Sequence, residues 1–148
     1  MTVPSTLGAS TFAPGEFNST LLSTSIAATM SNGGSAIAPG AQAYAVAQKA
    51  GKIIGWTLLT DESDTVKVDV YKLPIASWPP TGSNIISGSS GLHVSTGVKA
   101  SGGLSCGGTT PLTDWTTDVK VGDCFIFNAT TITATKQLLV QLLIQTGA

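Results

Sequence analysis

Gly103-Leu104-Ser105-Cys106-Gly107 has the G-x-S-x-G spacing of hydrolase nucleophiles. That pattern works when the serine stands on a sharp strand-to-helix turn and a histidine can take its proton. Here the flanks are glycine and threonine, no helix pattern follows, and the one histidine, His93, precedes the serine. A triad can be assembled in any chain order, but a short motif in a glycine-rich chain is expected to arise by chance. His93 has no neighbouring carboxylate in sequence and reads as a surface or packed residue.

Cys106 and Cys124 lack the second pair that a zinc site needs. They are expected as reduced thiols, although a bridge between them is geometrically open. Asp61, Glu62 and Asp64 form the one acidic cluster. It could offer oxygens to a cation, yet it lacks the glycine and downstream glutamate of an EF-hand loop, and a solvated turn is the expectation. Trp56, Trp78 and Trp115, with Tyr44 and Tyr71, could stack on sugar rings, but Trp56 sits in an apolar run and reads as core. Trp78, before two prolines, and Trp115, among threonines, are the better candidates for sugar stacking, with packing under loops as the competing reading. No catalytic, cofactor or metal residue is assigned, and the chain is not expected to be an enzyme.

The elements around these residues read as strands. Val66, Val68 and Val70 alternate with Lys67, Asp69 and Tyr71, the period of a half-buried strand. Ile53-Ile54-Gly55-Trp56-Thr57-Leu58-Leu59 is apolar on both faces, as in a covered strand. The polar Thr60-Asp61-Glu62-Ser63-Asp64-Thr65 between them predicts a hairpin turn, with the hairpin over 52–73 as the centre of the fold. Further strands are expected at 41–47, weakly at 92–100, at Cys124-Phe125-Ile126-Phe127-Asn128, and over 136–146 with Leu138, Val140, Leu142 and Ile144 on one face. Pro74, Pro79 and Pro80 predict a loop, since proline donates no ladder bond. Seven or eight short strands separated by Gly, Pro and Thr predict an all-β chain, an antiparallel β-sandwich or jelly roll. Residues 41–148 would form that domain. Residues 1–40 are expected as an extended or irregular N-terminal arm, with a weak helical spacing over 19–30 from Leu22, Ile26 and Met30.

Charged residues make up 10% of the 148-residue chain, against about 25% in an average soluble protein. Such a surface suits burial against copies of itself or a partner. There are seven lysines, unclustered, no arginine, and a net charge of −1. That excludes the basic stripe that nucleic acid or an anionic membrane requires. No apolar run is long enough to span a bilayer. No secretory leader is visible, so folding in the cytosol is expected.

The order of segments carries a resemblance. Ile54-Gly55-Trp56-Thr57-Leu58-Leu59, the acidic stretch, Val66-Lys67-Val68-Asp69-Val70-Tyr71-Lys72, Trp78-Pro79-Pro80, Trp115-Thr116-Thr117 and Val121-Gly122-Asp123-Cys124-Phe125-Ile126-Phe127-Asn128 resemble, over about residues 41–146, the small jelly-roll structural proteins of tailed bacteriophages. The resemblance implies a virion part without catalytic residues or cofactors. A capsid decoration (cement) protein is the first form it implies. Such a protein would be a homotrimer on the capsid exterior, assembled in the host cytoplasm and binding across neighbouring copies of the major capsid protein. The alternative is a receptor- or carbohydrate-binding module of a tail or head fibre.

Overall fold

Both halves of the 52–73 segment become strand, but they form one strand and not a hairpin. In a computed structural model, described over residues 23–103 and 112–146, seven strands follow in order. They are β1 (Ser23–Ser31), β2 (Ala41–Val46), β3 (Gly51–Pro74), β4 (Leu92–Gly102), β5 (Asp118–Val119), β6 (Asp123–Thr131) and β7 (Gln137–Gln145). All the pairings are antiparallel and the central order is β1-β7-β3-β6-β2, with β4 and β5 also on β3. The molecule is therefore all-β.

β3 is 24 residues long and doubles back on itself. Fully extended, the stretch from Lys52 to Lys72 would cover on the order of 65 Å. Yet the Lys52 ammonium is 2.7 Å from the Asp118 carboxylate and the Lys72 ammonium donates to the Asp118 carbonyl. The first half pairs with β7 and the second with β6, while β4 runs beside both. The two halves thus have different partners and do not hydrogen-bond to each other as a hairpin. The bend falls on the acidic stretch, where the β3–β4 register shifts on either side of Asp64.

The expectations for residues 1–40 are corrected over the part described. Residues 23–31 are neither helix nor arm; they form edge strand β1, in register with β7 from Ser23 opposite Gln145 to Ser31 opposite Gln137. The spacing of Ile26 and Met30 that suggested a helix also puts both on one side of a strand, because four is even. Both are buried in the core, and so is Ile37, whose N–H donates to the Thr135 carbonyl. The rest of the expected arm, residues 1–22, lies outside the described residues. β1 and β2 lie alongside, within 8 Å between Cα atoms, without a ladder. The sheet is in this way nearly closed into a barrel.

Inside, Leu58, Val66, Val68, Val70, Phe125 and Phe127 form the centre of the core, joined by the four inward residues of β7. β6 also buries its other face. Cys124 and Ile126 pack with Leu73 in a second, smaller cluster, with half-buried Tyr71 against it. After Pro74 the chain makes two short 3-10 turns, Ile75–Ser77 and Gly82–Asn84, and returns through a bridge from Ile85 to Tyr71. The Trp78–Pro79 peptide bond is cis.

Candidate functional site

The acidic stretch has a structural role. Asp64 is buried, and its carboxylate accepts hydrogen bonds from the N–H groups of Thr133, Ala134 and Thr135 at 2.9–3.1 Å. The hydroxyls of Thr133 and Thr135 donate to it at 2.6 and 2.8 Å, and the Thr65 N–H at 2.8 Å. Burial by itself would raise the Asp64 pKa, but the bonds from Thr133, Ala134 and Thr135 outweigh it and hold the carboxyl well below the usual range. Successive backbone N–H groups around one oxygen make an anion nest, filled here by the chain's own carboxylate. Asp61 accepts from the N–H groups of Gln137 and Lys136, and the Gln137 bond leads in lowering its pKa. Glu62 lies 3.2 Å from the Lys136 ammonium. The bend of β3 thus clamps the loop between β6 and β7. Oxygens surrounded by six donors present protons, not lone pairs, to a cation. The described residues contain no group of three or more side chains placed to hold a metal ion.

Ser105 and Cys106 lie outside the described residues. His93 is exposed on β4, with its ring centre 6.2 Å from that of Trp56. Both line a groove of about 540 Å³ along β4, together with Lys99, Asp114 and Trp115. Trp56 itself is buried as expected, its indole laid across Gly102, where a Cβ would come within 2.1 Å of its Nε1. Asp114 accepts from the Ser89 N–H at 3.1 Å, and Gly88 admits it by having no side chain. The groove therefore brings a histidine and a carboxylate together, but Asp114 is committed to the 88–89 turn. Among the described residues no hydrogen bond links His93 to a carboxylate or a hydroxyl, which is the arrangement that would orient a base. The Cys124 thiol is buried, free, and aimed at the Gly122 carbonyl, 3.8 Å away. Trp115 is half-buried against the core, so the packing reading fits it.

Trp78 is different. It is 43% exposed and meets Tyr44, 60% exposed, edge to face with ring centres 5.6 Å apart. β2 explains why: Ala43 and Ala45 pack against the core, so the residues between them face outward. Tyr44 is opposite Ile126, itself opposite Tyr71; Val46 is opposite Cys124, itself opposite Leu73. This is the outer side of the β2–β6–β3 sheet, over the second apolar cluster. Ile85 borders the patch beside Tyr71, and Ile75 (71% exposed) follows Pro74 at the end of β3. Val121 (67% exposed) stands at the tip of the Lys120-to-Asp123 turn, whose Gly122 N–H donates to the Ala47 carbonyl just past β2. Sequence reasoning singled out Trp78 and counted Tyr44 among the possible stacking aromatics, but missed Val46, Ile75, Ile85 and Val121 as exposed apolar residues. The signal available was Val121 at a turn tip, where polar residues are usual.

No protein-family model, curated protein or solved structure matches this chain. Function must therefore be argued from the arrangement itself. One polar cluster is used up inside the fold, one groove has no oriented base among the described residues, and one broad apolar face is open.

Proposed function

We propose that this protein is a structural component of a tailed-bacteriophage virion. It would act as a capsid decoration protein, self-associating as a homotrimer and binding across neighbouring copies of the major capsid protein on the capsid exterior. The observation that carries the reading is the open face around Tyr44 and Trp78 on a chain with only 10% charged residues. An uncharged exterior gains from being covered, at about 25 cal/mol per Å² of apolar area, repeated at every site of a symmetric shell. The segment order shared with small jelly-roll virion proteins supports the same reading. In this proposal the curled sheet is a jelly-roll variant, and residues 1–22 supply attachment to the capsid. The protein is not an enzyme and takes no cofactor; its partners are itself and capsid protein, with no nucleic acid or membrane.

Cryo-electron microscopy of intact particles tests it. Density for this chain on the outer capsid surface, lost or thinned when residues 1–22 are deleted, is the expected result. Density confined to the tail overturns it. Location at a fibre tip would favour the second reading, a carbohydrate-binding module, for which Tyr44 and Trp78 would be the stacking pair.

A further inference from the structure

We infer that the face bearing Tyr44 and Trp78 is the surface through which copies of this chain contact one another about a symmetry axis. The inference deepens the proposed function by naming the self-association face, and rests on that reading only for the purpose of association.

Of the eight large apolar side chains left exposed among the described residues, Tyr44, Val46, Trp78 and Ile85 are tied to this side by register and ring contact, and Ile75 and Val121 stand in the segments that adjoin it. An aromatic side chain carries roughly 150–250 Å² and Val or Ile somewhat less, so their exposed fractions amount to on the order of 500 Å². A standard protein interface takes about 800 Å² from each partner, of which some 56–65% is apolar. The face therefore supplies about the apolar share of one complete interface. It also has the usual composition, with aromatic residues at the middle and aliphatic residues around them.

The charges along its border favour a second copy over a charged partner. Lys52 is paired with Asp118, and Lys72 lies 3.6 Å from Asp123 while donating to the Asp118 carbonyl. These charges are satisfied within the chain; Lys67 and Asp69, in phase with Tyr71 on β3, are 3.6 Å apart, and Lys49 and Lys120 are exposed to solvent. A surface covered by another copy must avoid unpaired charge near its centre, and Tyr44, Trp78 and Ile75 supply none. Small ligands favour concave sites, whereas the cavity of about 540 Å³ described above is lined by other residues.

Sedimentation velocity at low and high micromolar concentration tests the inference. Wild-type protein is expected to sediment as a closed oligomer. Tyr44→Lys and Tyr44→Glu are each expected to weaken association about thirtyfold or more, with unchanged far-ultraviolet circular dichroism. A wild-type monomer at high micromolar concentration overturns the inference. So does full association by both variants. A wild-type monomer whose binding to a glycan array is lost in Trp78→Ala overturns it in favour of a sugar site. Particle binding is scored separately: wild-type protein that associates but binds no capsid overturns the virion reading and leaves the self-association face standing.

Discussion

The bend of β3 and the outer side of β2 and β6 both carry residues of unexpected type for their positions, with opposite outcomes. At the bend, Asp64 is an acid in a strand interior, and the chain closes six donors over it. On the outer face, Tyr44, Ile75 and Val121 are apolar groups facing water, and the chain leaves them open. The first region is complete within one molecule: its polar groups cost free energy when buried and are repaid by hydrogen bonds. In the proposed function the second is complete only when something covers it. Intramolecular need and intermolecular need are thus written in different places.

The comparison breaks most visibly at Asp64. Asp64→Ala leaves the N–H groups of Thr133, Ala134 and Thr135 without their charged acceptor, and a loss of about 3 kcal/mol is expected in urea unfolding. A loss below about 1 kcal/mol would show that backbone pairing alone holds the 131–137 loop. Ile126→Ala should cost about 2–4 kcal/mol although Ile126 is on the outward side of β6, because it is buried with Cys124 and Leu73 in a second cluster. A change near zero would mean that this cluster contributes little to stability. Acid unfolding sharpens the same contrast. The Asp64 pKa is lowered by folding, so the unfolded chain binds the proton first as pH falls. Its stabilising share is whole above the ordinary carboxylate pKa of about 3.9. It is lost as pH drops from there toward the folded value. Asp64→Asn should flatten the acid limb of a stability-against-pH curve; an unchanged limb would put the dependence elsewhere.

Much of this architecture could be read from the chain. Alternation located β2 and the second half of β3, and the inward set on β7 was legible from Leu138, Val140, Leu142 and Ile144. The error at 60–65 has a definite cause. Thr, Asp, Glu and Ser favour turns because their side chains compete for backbone groups, but here the three acidic side chains bind a different loop, some 70 residues away. Local chemistry cannot announce long-range donors. The error at 19–30 is one of period, since a spacing of four fits a helix and a strand alike. The open face was unreadable for another reason. Its members come from β2, the turn before β6, and the segment after β3, and only sheet register brings them together.

The smallest expected effect comes from the same bend. Glu62 and Lys136 are 3.2 Å apart, but their side chains remain 44% and 46% exposed. Water screens such a pair, and fixing two long side chains offsets most of the attraction, so exposed pairs contribute about 0–1 kcal/mol. Lys136→Met is therefore expected to change unfolding free energy by about 0.5 kcal/mol or less, with little dependence on added salt. The backbone N–H of Lys136 still reaches Asp61 in this variant, because that bond does not involve the side chain. A salt-sensitive loss well above about 1 kcal/mol would mean that charge, not the array of N–H donors, holds the loop against the bend. The large effect expected of Asp64→Ala would then have to be reassigned to electrostatics among Asp61, Glu62 and Lys136.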